Sequence, residues 1–216
     1  MFDLFENHNP SGRENLGTKA VVLRGFALSI VKELLTNITV IQNISPFRHM
    51  TTPRGHTISV TLTNCGHLGW ISDQWGYRYT KTDPVTKKPW PQMPEVFLLL
   101  AQSAASEAGF DNFYPDACLI NRYVPGTKLS LHQDKDELDF NAPIVSVSLG
   151  IPAVFQFGGL ERTDRKNNIP LYNGDVVVWG GIDRLRYHGV LPIKHNTHSI
   201  LGEQRINLTF RKASRC

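Results

Sequence analysis

The fold and the chemistry are decided by residues 119–136, which read LINRYVPGTKLSLHQDKD. Successive side chains of a strand point to opposite faces, so a strand over 128–134 would place His132 and Asp134 on one face. An imidazole and a carboxylate two residues apart can bind one cation in front of that strand. The tripeptide His-x-Asp also occurs by chance, so a surface histidine beside a solvated acidic run remains an alternative.

A third ligand has to come from a distant part of the chain. His188 is the best candidate, since it lies in RYHGV (186–190) and is flanked by strand-like residues. Two histidines and one carboxylate form the ligand set of the non-haem iron oxygenases, which leaves positions open for a co-substrate and oxygen. A histidine between Tyr and Gly is also common as a structural residue, and the spacing alone leaves both interpretations open.

The last strand-like stretch, RINLTFR at 205–211, alternates between polar and apolar residues. Its polar face carries Arg205, Asn207 and Arg211, and its apolar face belongs to a core. A guanidinium is always charged and its planar fork matches a carboxylate, so two arginines on an inward face would suit a dianionic co-substrate. An edge strand with two solvent-facing arginines is the alternative.

The same alternation applies to residues 119–123, where Asn121 and Tyr123 share one face. Both side chains could donate hydrogen bonds to a ligand in front of His132, although structural hydrogen bonds would explain them equally well. Further upstream, Trp70 and Tyr77 belong to a segment that mixes aromatic and basic residues. Such a segment suits stacking on unpaired bases, or a small hydrophobic cluster under a hairpin.

Length, composition and charge set the limits of these interpretations. With 216 residues, 41% of them hydrophobic, the chain can form one domain with a real core, and a net charge of +4 permits a nucleic-acid partner without requiring one. Its three cysteines include no Cys-x-x-Cys, which favours neither a disulfide framework nor a zinc site. With no signal-peptide pattern and no apolar run of roughly 18 residues, we expect a cytoplasmic protein with no membrane partner.

The order of elements indicates a mainly β fold with flanking helices. Residues 1–17 are polar and predict a flexible tail, Ser29 is the expected N-cap of a first helix, and Pro94 opens a second. Many short strands follow in the C-terminal half, and Asn173-Gly174 predicts a two-residue hairpin turn. Strands in this number, after N-terminal helices, are typical of a β-sandwich or jelly roll with helices packed outside.

Together these segments resemble the AlkB family of Fe(II)- and 2-oxoglutarate-dependent nucleic-acid dealkylases, and especially its bacterial founding member. The likeness covers nearly the whole chain from about Ala20. The matching segments are TNCGHLGW (63–70), DACLINRY (116–123), LSLHQDKD (129–136), FQFGGL (155–160), GDVVVWGG (174–181) and NLTFR (207–211).

The resemblance implies a role for each candidate residue. The iron ligands would be His132, Asp134 and His188. The residues that hold 2-oxoglutarate would be Asn121, Tyr123, Arg205, Asn207 and Arg211. The residues that sandwich and orient the alkylated base would be Trp70, Tyr77, Asp136 and Arg162. On this assignment, Arg211→Ala is expected to abolish most of the 2-oxoglutarate turnover and to spare the fold.

It also implies an architecture and a reaction. Residues 18–216 would form one dioxygenase domain, with a nucleotide-recognition lid at about 47–88 and a jelly-roll (double-stranded β-helix) core at about 116–216. With Fe(II), 2-oxoglutarate and O2, a monomer would oxidatively demethylate 1-methyladenine and 3-methylcytosine in single-stranded or damaged double-stranded DNA, or in RNA, releasing formaldehyde, succinate and CO2. A base buried in a duplex would have to be flipped out.

The chain departs from the founding member at Leu62, where Met is expected, and differs more in its N-terminal tail and in the loops 161–173 and 192–204. These departures affect the expected substrate preference rather than the chemistry. Three alternatives remain open: the same oxygenase core acting on tRNA or a protein side chain, a non-catalytic nucleic-acid-binding jelly roll, and a cupin-like metal enzyme of small metabolites.

Overall fold

The computed structural model describes residues 12–215, which form two β-sheets packed face to face, with two helices on the outer side of the larger sheet. Within this range no helix is long and apolar enough to cross a membrane. The part of the expected tail that covers residues 1–11 lies outside the described residues.

Thirteen strands and two α-helices follow each other along the described chain. They are β1 (Gly12–Asn15), β2 (Ala20–Arg24), α1 (Val31–Ile44), β3 (Thr61–Gly66), β4 (Gly69–Asp73), β5 (Gly76–Thr80), α2 (Glu95–Glu107), β6 (Ala117–Tyr123), β7 (Leu129–His132), β8 (Ile144–Gly150), β9 (Ala153–Phe157), β10 (Asn167–Leu171), β11 (Val176–Trp179), β12 (His188–Val190) and β13 (Arg205–Arg211).

The larger sheet has seven strands in the order β1-β2-β11-β8-β13-β6-β3. The apolar residues of β13 (Ile206, Leu208 and Phe210) pack with α1 and α2 in one core cluster, as their alternation predicts. The edge of Phe97 on α2 meets the ring of Phe210 at 6.0 Å between centroids. Because the helices take the apolar face of β13, its polar face has to point towards the second sheet.

The smaller sheet has four strands in the order β10-β9-β12-β7. A second cluster fills the space between the sheets, with Phe155 and Phe157 from the small sheet against Trp179 from the large one. Two packed antiparallel sheets with outer helices are the predicted architecture, so the prediction of a mainly β, jelly-roll fold is confirmed.

A separate two-stranded hairpin, β4–β5, stands beside the large sheet. It is linked to that sheet by a third, smaller cluster that includes Leu62 of β3, Ile71 of β4 and Leu119 of β6. The aromatic and basic segment noted in the sequence therefore contains a hairpin that packs on the large sheet through a small hydrophobic cluster.

The start of α2 agrees with the prediction from sequence, and the start of α1 does not. Pro94 is the N-cap of α2, so the prediction that a helix opens there is confirmed. The prediction that Ser29 caps α1 is wrong, because residues 28–30 form a 3-10 turn and Ile30 becomes the N-cap without a side-chain hydrogen bond.

The prediction of a hairpin at Asn173-Gly174 is also wrong. The turn is real, with φ of +84° at Gly174, but β10 before it belongs to the small sheet and β11 after it to the large one. The two residues bond to the end of β8 instead: the side chain of Asn173 accepts from the Gly150 amide, and Gly174 N–H donates to the Ser148 carbonyl. The turn therefore connects the sheets, since tertiary contacts decide where its flanking strands pair.

Residues 12–15 were expected to belong to the flexible tail and instead form strand β1. This strand pairs with β2 and so covers what would otherwise be an unpaired sheet edge. A salt bridge between Glu14 and Arg24 joins the two strands. The short polar stretch gives no strand pattern in sequence because all four of its residues are exposed.

Candidate active site

The three candidate metal ligands lie together between the two sheets. His132 ends β7 and pairs in register with His188 on β12, while Asp134 follows two residues after His132. One donor atom from each of the three residues lies within 4.8 Å of the other two. The structure thus brings together a histidine pair and a carboxylate from two separate parts of the chain.

Hydrogen bonds fix the orientation of both imidazoles. Nδ1 of His132 donates to the carbonyl of Ser130 at 2.9 Å, and Nδ1 of His188 donates to the carbonyl of Arg186 at 3.0 Å. Both Nε2 atoms then face Asp134, at 3.6 Å from Oδ1 for His132 and 3.8 Å from Oδ2 for His188. A backbone acceptor on one ring nitrogen is the usual support of a metal-binding histidine.

The surroundings of the site keep the ligands in the protonation states that a metal requires. Burial, assisted by the neighbouring His132 and opposed by Asp134, lowers the pKa of His188 to about 3. Burial alone would raise the pKa of Asp134, but Arg211 and the two histidines outweigh it and hold the pKa below its usual range. A neutral imidazole and an ionised carboxylate are therefore available at neutral pH.

Arg211 and Asp134 form a buried ion pair. Nε and Nη2 of Arg211 lie 2.9 and 2.8 Å from Oδ2 of Asp134. The same Nε is 3.4 Å from Oε1 of Glu137, which also accepts a 2.6 Å hydrogen bond from the Tyr79 hydroxyl. Burial alone would lower the pKa of Arg211, but Asp134, Tyr79 and Glu137 outweigh it and raise the pKa.

Arg184 completes this network, and neither it nor Glu137 was singled out in the sequence. Arg184 donates to the backbone carbonyl of Asp134 at 2.7 Å and pairs with Glu137 at 3.1 Å. Glu137 lies in an acidic run and Arg184 in a loop with no motif, so no local pattern indicated that both would be buried. Together they hold the backbone of the Asp134 segment in place.

Arg205 differs from Arg211 because, among the described residues, no carboxylate pairs with it. Its Nη2 donates to Ser148 Oγ at 3.0 Å, whereas its Nε and Nη1 are buried and meet no hydrogen-bond acceptor within residues 12–215. Its guanidinium lies over the ring of Tyr123, 4.9 Å from the centroid. A buried cation with two unpaired donors is costly unless an anion joins it, so this fork is built to receive one.

The remaining polar residues predicted for this pocket lie around Arg205. Asn207 pairs in register with Asn121, and Arg205 with Tyr123, so all four side chains belong to adjoining positions on β13 and β6. Asn207 Nδ2 donates to Ser146 Oγ at 2.8 Å and to the Val147 carbonyl at 2.9 Å. All four line one cavity of about 600 Å³, together with the three candidate ligands.

The candidate base-binding residues line the other end of that cavity. Trp70 Nε1 donates to Asp136 Oδ2 at 2.9 Å, and the rings of Trp70 and Tyr77 stack with centroids 5.7 Å apart and planes 12° apart. Arg162 donates to the carbonyl of Leu131 at 2.8 Å and is exposed at the rim. The cavity therefore joins a cationic end, a metal-binding floor and an aromatic, acidic mouth.

The donor set fits Fe(II) and 2-oxoglutarate. Two imidazoles and one carboxylate on one side of a cation match the facial triad of the non-haem iron enzymes. The unpaired donors of Arg205, at the cationic end, match the far carboxylate of a dianionic keto acid.

Comparisons with known proteins point the same way. The family profile of the 2OG-Fe(II) oxygenase superfamily matches residues 19–211. The chain is 55% identical to the alpha-ketoglutarate-dependent dioxygenase AlkB of Escherichia coli K12, over all of this chain and 99% of that protein. It is 32% identical to the DNA N(6)-methyladenine demethylase ALKBH1C of Arabidopsis thaliana, over 62% of this chain and 35% of that one. The solved structure of OsALKBH1 superposes with a TM-score of 0.79 at 28% identity, covering 93% of this chain and all of that one.

Proposed function

This chain belongs to the AlkB family of the 2OG-Fe(II) oxygenase superfamily, and we propose that it removes methyl groups oxidatively from 1-methyladenine and 3-methylcytosine in DNA. The observation that carries the proposal is the single cavity in which the His132, Asp134 and His188 cluster lies between an arginine fork and an aromatic mouth. Relatives named as nucleic-acid dioxygenases and DNA demethylases support a nucleic-acid substrate.

His132, Asp134 and His188 would hold Fe(II) through two Nε2 atoms and one carboxylate oxygen. Iron with 2-oxoglutarate and O2 supplies the oxidation of an N-methyl group, which leaves as formaldehyde. The protein holds the ligands rigid: Arg184 fixes the backbone of Asp134, and Arg211 fixes its side chain.

Arg205 and Arg211 would bind 2-oxoglutarate together with Asn121, Tyr123 and Asn207. Arg205 is the stronger candidate for the far carboxylate, because two of its donors have no partner among the described residues. Arg211 already pairs with Asp134 and Glu137, so it would bind the co-substrate and also neutralise these two buried carboxylates.

Trp70, Tyr77, Asp136 and Arg162 would receive the base. A third ring stacked between two others needs a contact of roughly 3.5–4.0 Å on each of its faces. The sum of these two contacts exceeds the 5.7 Å between the centroids of Trp70 and Tyr77. The base would therefore take the other face of Trp70 or separate the two rings. The Asp136 carboxylate would favour a cationic base electrostatically.

Asp134 and His188 are buried in the cavity, so a base that reaches them would have to be unpaired or flipped out of a duplex. We further propose that residues 47–88 act as the lid over that base, and that 18–216 work as one dioxygenase domain in a monomer. A cytoplasmic location agrees with the two buried, unpaired cysteines, Cys65 and Cys118.

The test is a comparison of substrates with the iron-loaded protein. We expect formaldehyde from a single-stranded DNA oligonucleotide with one 3-methylcytosine, and less from an unmodified oligonucleotide or a methylated peptide. The same measurement on the matching RNA oligonucleotide and on a DNA duplex ranks single-stranded DNA, RNA and duplex DNA by the amount of formaldehyde released. Formaldehyde from the peptide alone would overturn the proposal in favour of a protein substrate.

A further inference from the structure

We propose that Asn64 is a positioning residue that fixes Trp70 as a preformed wall of the base pocket. This inference rests on the proposed function, because it concerns the support of a residue assigned there to base stacking. Asn64 itself lies outside the cavity, so it would act through Trp70 and not through contact with the nucleic acid.

The side chain of Asn64 replaces a missing strand pairing. Asn64 lies in β3 of the large sheet and is fully buried, whereas Trp70 lies in β4 of the separate hairpin. Trp70 N–H donates to Asn64 Oδ1 at 3.0 Å, and Asn64 Nδ2 donates to the Trp70 carbonyl at 3.0 Å. One side-chain amide thus satisfies both peptide groups of Trp70, as a neighbouring strand would.

A second contact restrains the chain next to Trp70. Gly69 is packed against the indole of Trp90 so closely that a Cβ at position 69 would lie 2.3 Å from Trp90 Cε2. Trp90 Nε1 in turn donates to the carbonyl of Thr80, the residue that pairs with Gly69 in the hairpin. The backbone of Trp70 is therefore held on one side by Asn64 and at its preceding residue by Trp90.

These restraints fix the direction of one aromatic ring and not of the other. The indole of Trp70 is held from its backbone and again at Nε1 by Asp136. Tyr77, on the opposite strand of the hairpin, is 48% exposed. A ring that is already in place loses little conformational freedom when a base stacks on it, so the support of Trp70 should strengthen the binding of the flipped base.

Thr63 offers a matched control in the same strand. It is also fully buried, and it points away from the hairpin, donating from Oγ1 to the carbonyl of Ser45 at 2.7 Å. Thr63→Val and Asn64→Ala each remove a buried polar side chain from adjacent positions of β3. Only the second removes a contact to Trp70.

The experiment measures selective binding by the full-length protein without added iron, using the fluorescence anisotropy of two labelled single-stranded oligonucleotides. One carries a single 3-methylcytosine and the other is unmodified. We expect Asn64→Ala to reduce the ratio of the two affinities by roughly tenfold, the size of a lost base–aromatic stack. In turnover, the KM for the methylated oligonucleotide should rise more than kcat falls. Thr63→Val should leave the ratio and the KM unchanged.

The outcomes separate this inference from the proposed function. If the wild-type protein releases no formaldehyde from the methylated oligonucleotide, the proposed function itself is overturned. If the wild type is selective and a folded Asn64→Ala variant is equally selective, the role of Asn64 is overturned. Should Asn64→Ala fail to melt cooperatively, Asn64→Ser decides, because its hydroxyl is too short to reach both peptide groups; wild-type selectivity in that variant would also overturn the inference.

Discussion

His132 and His188 face each other as register partners on two antiparallel strands, with ring centroids 4.4 Å apart. Each Nδ1 is bonded to the carbonyl two residues earlier in the chain, Ser130 in β7 for His132 and Arg186 just before β12 for His188, so the local backbone orients both rings. The metal site is therefore a consequence of pairing β7 with β12. Asp134, two residues beyond the end of β7, completes the site on the side of Arg211.

Replacing His188 tests this arrangement at its most buried ligand. We expect His188→Ala to lose iron on anaerobic reconstitution and to lose formaldehyde production by at least about a thousandfold, since two ligands rarely retain a catalytic metal. Iron content per chain, measured after gel filtration, is the readout. His195→Ala is the control, because that side chain is exposed and is not one of the three clustered ligands. Full iron content in His188→Ala would rule out the assigned ligand set.

Arg205 is the sharper probe of the co-substrate site. We expect Arg205→Lys to raise the KM for 2-oxoglutarate by about 10- to 100-fold, because an ammonium cannot reproduce two parallel N–H donors. The affinity for the methylated oligonucleotide should stay near that of the wild type. The binding of 2-oxoglutarate to the iron-free protein, followed by calorimetry, gives a second readout. An unchanged KM would show that the unpaired donors of Arg205 serve another purpose.

Arg211 should behave differently from Arg205 when it is removed. Arg211→Ala leaves the buried carboxylates of Asp134 and Glu137 without their shared partner, and breaking such a pair costs about 3–5 kcal/mol. The expectation from sequence, that Arg211→Ala would spare the fold, is therefore replaced by a prediction of marked destabilisation. Urea unfolding of the iron-free protein measures it, with Arg205→Lys as the comparison. A loss below about 1 kcal/mol would contradict the role of the ion pair.

Asp83 gives a stability prediction with a defined pH dependence. Burial would raise its pKa, but hydrogen bonds from Arg48, the Val85 amide and Ser45 outweigh that effect and lower it. A carboxyl with a lowered pKa stabilises the fold above its unfolded pKa of about 3.9, and the contribution fades as the pH falls further. We expect Asp83→Asn to lose about 3 kcal/mol at pH 7.

The difference between the wild type and Asp83→Asn in the free energy of unfolding should stay constant from pH 7 to about pH 5 and shrink below about pH 4. Urea titrations at several pH values measure it. Asp139→Asn is a useful control, because Asp139 accepts only a short-range hydrogen bond from Asn141. A difference that widens at low pH would have the wrong sign for this explanation.

Asp136 should influence which lesions are accepted. Its carboxylate lies at the mouth of the cavity and accepts a hydrogen bond from Trp70, a bond that an asparagine oxygen can also accept. We expect Asp136→Asn to slow turnover of the cationic 3-methylcytosine by about tenfold or more, and to change turnover of the neutral 3-methylthymine much less. Competition between the two lesions in one reaction, read by mass spectrometry, reports the ratio. An unaltered ratio would remove Asp136 from base selection.

Strand alternation predicted much of this site correctly because it depends only on local geometry. The polar residues of β13 line the cavity as expected. Asn121 and Tyr123, which share one face of β6, line it too. The metal cluster needed one further assumption, that His188 would meet His132, and the pairing of β12 with β7 provides it.

Features that depend on tertiary context were predicted poorly. The Asn173-Gly174 turn has the local chemistry of a hairpin, yet its flanking strands pair in different sheets. Glu137 and Arg184 have no motif and become important only because folding buries them against Asp134 and Arg211. Asn64 likewise reads as one residue of a strand until the hairpin brings Trp70 to its side chain.

The most direct test of the account is the stoichiometry of a single reaction. The protein is loaded with Fe(II) without oxygen, then given 2-oxoglutarate, oxygen and a single-stranded oligonucleotide carrying one 3-methylcytosine, and succinate and the mass of the base are measured together. The account predicts one methyl group lost for each succinate formed in excess of a reaction without oligonucleotide. Succinate with an unaltered base would contradict the dealkylase assignment. If iron-loaded protein formed neither succinate nor a demethylated base, the assignment of the chain as an oxygenase would itself be contradicted.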